Sequence, residues 1–385
     1  MGSLNIFEDI IRDDTFKFLT DRIQYAKQTG CFLQDHFSDV YSWREKYRAL
    51  VKSRLFYDPP AVPFNEEITE EVDFDGYTRK KVYFNSAPGC RVPAYLLVPK
   101  GLIAPAPGVV VLHDHGANLY WGKEKAVEHK NTNPVLEKFV KDHYGAPLAS
   151  TLARRGYVTL VIDCLFFGER GVKVSEREEF AKRLSRFEVE SPEYIGEYNA
   201  CGFETQSDLA RAFFLAGWTF MGPRLFDDMA SVSFLAGRPE VGEEIGCVGL
   251  SMGGYRSGWL AAMDDRIRCA VVVGAMHRYR EMIKHRLPNV EWMWTVPGLY
   301  GVMDFDDVIS LRAPKPLMAI HGTRDWLFSP EFTGEKAIEN VSAVYKKAGV
   351  DKNFRYEYYD APHMFSLEMQ KSAFAWMDGH LKGGE

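Results

Sequence analysis

The stretch that most constrains this chain is 245-IGCVGLSMGGYRSG-258. An apolar run ends in Gly249-Leu250-Ser251-Met252-Gly253, a G-x-S-x-G pattern, and a helix-forming segment follows. The spacing has a steric cause. A serine on a tight strand-to-helix turn holds a strained backbone, so the residues two away on either side must be small. Gly249 and Gly253 meet that need. The helix then starts behind Ser251 with its free N–H groups and positive dipole end near the serine. The pattern alone is weak, because a glycine-rich helix start can hold an incidental serine. With a strand before it and a helix after it, it predicts a nucleophile elbow.

Short, nearly continuous apolar runs recur around this motif: 108-GVVVLH, 157-YVTLVID, 245-IGCVGL, 267-IRCAVVVGA, 316-PLMAIHG and 354-FRYEYYD. Such runs suit strands covered on both faces, as in a parallel sheet with helical crossovers. Helical segments separate them: 147-PLASTLARRG, 224-RLFDDMASVSFLAG, 253-GGYRSGWLAAM, 331-EFTGEKAIENVSAVYKKAG and 366-SLEMQKSAFAWMDGHL. Before them, 71-EVDFDGYTRKKVYF and 92-VPAYLLVP read as an antiparallel pair. The alternation predicts an α/β fold with about eight strands, mostly parallel and flanked by helices. Residues 66–385 form this domain. Residues 117–146 and 164–222 are too long for simple loops and follow carboxyl ends of strands, where such folds bind ligands. They are expected to shape a substrate pocket.

A serine hydroxyl needs a base to accept its proton, and the base needs a carboxylate to hold its tautomer. Strand 316-PLMAIHG opens into 321-HGTRDWLFSP, which puts Asp325 in a polar loop. Strand 354-FRYEYYD opens into 361-APHMF, which puts His363 just before the last helix. Asp325 is the expected acid and His363 the expected base. Asp360 competes for the acid role from the histidine's own strand, where a loop or cap role suits it better. His321 reads as a strand-end residue that packs or bonds locally. His277 and His285 read as surface or helix histidines.

Attack on an ester creates an oxyanion that needs two preorganised N–H donors. The backbone of Met252 is one. The other should come from the loop after the third strand, 113-HDHG. His113, Asp114 and His115 also resemble metal ligands, but no nearby spacing supplies a further one, and no metal or cofactor is expected. The loop therefore works through its backbone, with His113 and His115 fixing it by side-chain hydrogen bonds. Asp114 has no evident role.

Residues 92-VPAYLLVPKG, HDHG, 156-GYVTLVID, GLSMGG, 299-LYGVMDFDDVISLRAPKPLMAIHGTRD and 361-APHMF together resemble the α/β-hydrolase superfamily, in particular its dienelactone-hydrolase and acetyl-xylan-esterase-like group. The match runs from about residue 70 to the chain end. The resemblance implies the α/β-hydrolase fold and carboxylic ester hydrolysis through an acyl-enzyme. It implies the order Ser251, Asp325, His363 as nucleophile, acid and base, with the N–H of His115 as the second oxyanion donor. Many members carry His-Gly where this chain has His113-Asp114. The expected substrates are small acyl or acetylated carbohydrate esters. Tyr120, Trp121, Trp292, Trp294 and Trp326 could face sugar rings, or pack as core and lid. An alternative is a C–C bond or amide hydrolase using the same triad, since some relatives with helical N-terminal additions cleave aromatic ketones.

Residues 1–65 read as an N-terminal helical extension. Phe16, Leu19 and Ile23 recur at helical spacing after Asp14, and Gly30 is a stop signal. Ser42 with Glu45 forms a capping-box pattern before a second helix that Pro59 and Pro60 would end. These helices either pack on the main domain or mediate homo-oligomerisation. A net charge of −6 on 385 residues argues against nucleic acid as a partner. The six cysteines lie far apart with no CxxC, as buried free thiols do in a reducing compartment. No apolar leader or membrane-length run is visible, so a cytoplasmic location is expected.

Overall fold

The computed structural model describes residues 17–383, so the expectations on Asp14 and Phe16 fall outside the described residues. A nine-stranded sheet organises the chain. Its strands are β1 (Glu67–Phe74), β2 (Tyr77–Ala87), β3 (Cys90–Pro99), β4 (Ala106–Leu112), β5 (Val158–Ile162), β6 (Val241–Leu250), β7 (Ile267–Val273), β8 (Leu317–Gly322) and β9 (Phe354–Tyr359). Their spatial order is β1-β2-β3-β5-β4-β6-β7-β8-β9. The first three pair antiparallel, as do β3 and β5, and every pair from β5 to β9 is parallel. This is the α/β-hydrolase fold.

The ninth strand comes from a turn that the hydrophobic pattern hid. The run starting at residue 71 is itself a hairpin, β1 and β2, folded about Asp75-Gly76, where Gly76 takes φ +83°. An Asp-Gly pair supplies the left-handed conformation that a tight hairpin needs.

Alternation along the strands splits the core into two layers. Val109 and Val111 face one side, against helices Leu148–Arg154 and Leu367–Leu381. Val110 and Leu112 face the other, against helices Met221–Ala236 and Met252–Met263. Because β4 lies between β5 and β6, the strand order reverses there, and a crevice opens at the carboxyl ends.

Helix Val40–Leu55 buries Trp43, Tyr47, Val51 and Leu55 in the same core as that second layer. Its N-cap is Asp39, not Ser42. The Asp39 carboxylate accepts from the Ser42 amide at 2.8 Å, and Ser42 lies inside the first turn. Aspartate accepts amide hydrogen bonds as well as serine does and adds a favourable charge at the dipole's positive end. The helix stops at Leu55, with Phe56 left-handed at φ 52°, before the prolines are reached. Gly30 lies beyond the end of the helix Lys17–Gln24, and its N–H donates to the Val302 carbonyl at 2.8 Å. Among the described residues, no helix is long and apolar enough to cross a membrane.

One buried ion pair joins the two helices behind the sheet. Arg256, on Met252–Met263, donates to Asp228, on Met221–Ala236, through Nε at 3.0 Å and Nη2 at 2.5 Å. Both side chains are fully buried. Asp228→Ala strands the guanidinium, which should cost about 3–5 kcal/mol of stability. The midpoint of urea unfolding reads this loss, and an unchanged midpoint would refute it.

Candidate active site

Ser251 sits between β6 and helix Met252–Met263 with φ 58° and ψ −120°, a conformation that costs a non-glycine residue of order 1–3 kcal/mol. The surroundings impose it. The Ser251 N–H donates to the Val273 carbonyl on β7 at 2.8 Å. A Cβ on Gly253 would lie 1.9 Å from the Leu112 carbonyl oxygen, and one on Gly249 would lie 2.4 Å from the Gly253 carbonyl carbon. The two glycines let the turn fold back against the end of β4. The first amides of the helix, Met252's among them, have no carbonyl one turn earlier to bond to.

His363 and Asp325 come together from the loops after β9 and β8. His363 Nδ1 lies 2.6 Å from Asp325 Oδ2. The other carboxylate oxygen accepts from the amides of Leu327 and Phe328, each at 2.9 Å. Burial works to raise the Asp325 pKa. The His363 hydrogen bond and charge, with the Phe328 and Leu327 amides, outweigh it and hold the carboxyl below its ordinary value. Asp325 is thus an ionised, oriented acceptor. Asp360 instead pairs with Arg324 at 2.7 Å on the surface. His321 accepts the Met276 amide at 3.2 Å. His277 is not a surface residue: it is fully buried among Tyr255, Trp294, Phe305 and Phe328, and burial drives its pKa down to about 3.

Ser251, Met252 and His363 line one cavity of about 480 Å³ together with His115 and Gly116. The HDHG loop bounds it. His113 is fully buried; its Nδ1 lies 2.9 Å from the Asp114 carbonyl, and its Nε2 accepts the Cys164 amide at 3.1 Å. His115 Nδ1 accepts the Ala117 amide at 3.1 Å. Asp114, unexplained from sequence, is buried and accepts the Tyr144 hydroxyl at 2.8 Å, which ties the loop to the end of helix Pro134–His143.

The rest of the wall comes from the two long insertions, from the segment between β7 and β8 and from the loop after β8. Phe203 and Gln206 lie on helix Pro192–Leu215, while Glu291, Trp294 and Trp326 complete the rim. Tyr120 and Trp121 lie apart, packed with Leu136, Val140 and Ile195, and Trp292 packs at the edge of the main core near Phe214. Of the five aromatic residues considered from sequence, the cavity therefore takes Trp294 and Trp326. Sequence reasoning missed Gln206, Glu291 and the buried Arg224, whose Nη1 donates to Glu291 at 3.0 Å. No motif marks them, because they come from three separate segments. Gln206 Nε2 and Trp294 Nε1 are buried without a hydrogen-bond partner among the described residues.

Among the described residues, Glu124, Asp163 and Glu169 form a carboxylate cluster of metal-binding size. Lys123 Nζ already sits among them, at 2.7, 2.8 and 2.6 Å, and supplies the positive charge. The cluster is a lysine's counter-ion cage.

Residues 22–373 match the Abhydrolase family, and the chain belongs to it. The fold and the family make it an α/β-hydrolase. It is 26% identical to "Putative hydrolase YtaP" of Bacillus subtilis (strain 168) over 268 residues, 69% of this chain and 75% of that one. Its fold is similar to that of a "putative acetyl xylan esterase" from Bacteroides fragilis, with a TM-score of 0.69 and 18% identity over 90% of this chain and 82% of that one. It is also similar to a glucuronoyl esterase from Solibacter usitatus, with a TM-score of 0.59 and 14% identity over 92% and 97% of the two chains. At such identities the likeness to both structures is one of fold.

The glycine contacts generate a direct test. Gly253→Ala should destabilise the protein by about 3 kcal/mol, because the added methyl meets a backbone carbonyl that cannot move without shifting β4. Thermal unfolding of the variant against wild type measures it, and an unshifted transition would overturn the steric argument.

Proposed function

We propose that the protein is a serine esterase in which Ser251 attacks the ester carbonyl. The observation that carries this reading is a left-handed serine on a strand-to-helix turn, opening into the same cavity as a histidine bonded to a buried carboxylate. His363 takes the Ser251 proton, and Asp325 fixes its tautomer and stabilises the imidazolium. The amides of Met252 and His115 hold the oxyanion. His363 then protonates the leaving alcohol. Water repeats both steps to release the acid from the acyl-enzyme.

The substrate is a small acyl ester of a hydroxylated, carbohydrate-like alcohol. Trp294, Trp326 and Phe203 line the cavity with aromatic surface, Glu291 adds a carboxylate, and Gln206 and Trp294 carry buried donors with no partner among the described residues. An apolar alcohol would leave those buried donors unsatisfied, at about 1–3 kcal/mol each. The names of the esterases with this fold point the same way. The six free thiols suit a reducing, cytoplasmic setting.

Ser251→Ala is expected to lower kcat on p-nitrophenyl acetate by about 10⁴-fold or more, with circular dichroism unchanged. Retention of most of the activity would remove Ser251 as nucleophile. For specificity, Gln206→Leu should reduce the ratio of kcat/KM for an acetylated methyl glycoside to that for p-nitrophenyl acetate by about tenfold. A constant ratio would rule out the amide as a reader of hydroxyl groups.

A further inference from the structure

Lys125 lies in the first long insertion, on a short 3₁₀ turn (Lys123–Ala126), with its side chain fully buried. Its Nζ donates to two successive backbone carbonyls of the HDHG loop, Asp114 at 3.0 Å and His115 at 2.9 Å. The rings of Phe139 and Phe167 flank the ammonium at 5.1 and 5.0 Å. A buried lysine spent on backbone oxygens, with no carboxylate of the described residues in contact, is costly and calls for a reason.

The reason lies in the peptide unit between Asp114 and His115. A planar trans peptide points its C=O and its N–H in opposite directions, so pinning one aims the other. Lys125 Nζ and His113 Nδ1 both bond the Asp114 carbonyl, from 3.0 and 2.9 Å. The N–H on the far side of that unit belongs to His115. A full positive charge on the carbonyl also polarises the amide and strengthens its N–H as a donor. We infer that Lys125 is a positioning residue that aims and polarises the His115 amide as an oxyanion donor. This rests on the esterase reading given above.

The charge of Lys125 is the variable part. Burial lowers its pKa to about 8, against the opposing pull of Asp114, Glu124, Asp163 and Cys164. The other groups facing it are His113 and His115, both held neutral by burial, and the Tyr144 hydroxyl on Asp114. The ammonium is present below about pH 8 and lost above it, so oxyanion stabilisation declines on the alkaline side.

The test compares wild type, Lys125→Met and Lys125→Arg on p-nitrophenyl acetate between pH 7 and 10. Wild-type kcat should fall above about pH 8. Lys125→Met should lose about 10²-fold in kcat with KM within about threefold, and its affinity for a trifluoromethyl ketone should drop by the same factor as kcat. Lys125→Arg keeps the charge at every pH, so its kcat should lack the alkaline fall. A folded Lys125→Met with kcat within about threefold of wild type would overturn the inference. Where Lys125→Met fails to fold, a folded Lys125→Gln with kcat within about threefold of wild type overturns it in the same way. The esterase reading fails separately, through an active Ser251→Ala.

Discussion

The close approach of Gly253 to the Leu112 carbonyl is the constraint on which the site depends. With no room for a Cβ between them, the turn after β6 is wedged against the end of β4. In the sheet, Leu112 pairs directly with Gly249. The HDHG loop starts at the next residue. A single register thus sets the distance between the serine turn and the HDHG loop. A one-residue slip of β4 against β6 would carry the loop away and turn Val110 and Leu112 to the wrong layer. The strain at Ser251 persists because the sheet on both sides over-determines it, through the Val273 carbonyl on one flank and Leu112 on the other.

Around the cavity one device recurs, a buried cation that fixes the groups it bonds. Lys125 holds loop carbonyls, and Arg224 holds the Glu291 carboxylate while its guanidinium lies over the Phe220 ring at 4.5 Å. Lys123 gathers three carboxylates at the side of the same loop. In each case the charge is taken out of water, which is expensive, and in return the partner keeps one orientation. Orientation is what an oxyanion site needs, since donors that must reorganise during the reaction stabilise charge poorly.

The parts of this arrangement that were legible in the sequence are those carried by local pattern. The glycines around Ser251, the loops after β8 and β9 and the apolar runs are short-range signals, and each placed its residues on the right element. The Asp-Gly hairpin was equally local, but the alternating run on either side masked it. The cap belongs to Asp39 because its carboxylate, three residues earlier, reaches the Ser42 amide, which the Ser42-Glu45 capping-box pattern does not reveal. Lys125, Arg224, Gln206 and Glu291 were beyond reach, since nothing near 123-KEKA or 291-EWMW separates a buried charge from a solvated one. Tyr120 and Trp121 show the same limit from the other side. They follow the HDHG loop closely, yet they turn into a separate cluster.

The histidines around the cavity differ in what holds their ring nitrogens. His113 spends its nitrogens on the Asp114 carbonyl and the Cys164 amide, and His321 spends one on the Met276 amide. His277 bonds the Ala275 carbonyl at 2.7 Å inside an aromatic shell. Burial lowers all three, so taking a proton from a serine would put an uncompensated charge in a dry interior. His363 differs in its partner. Its Nδ1 meets an ionised carboxylate that two backbone amides already hold in place, so an imidazolium there would have a fixed counter-charge. In the proposed mechanism this carboxylate, presented by the loop after β8, is what marks His363 as the base.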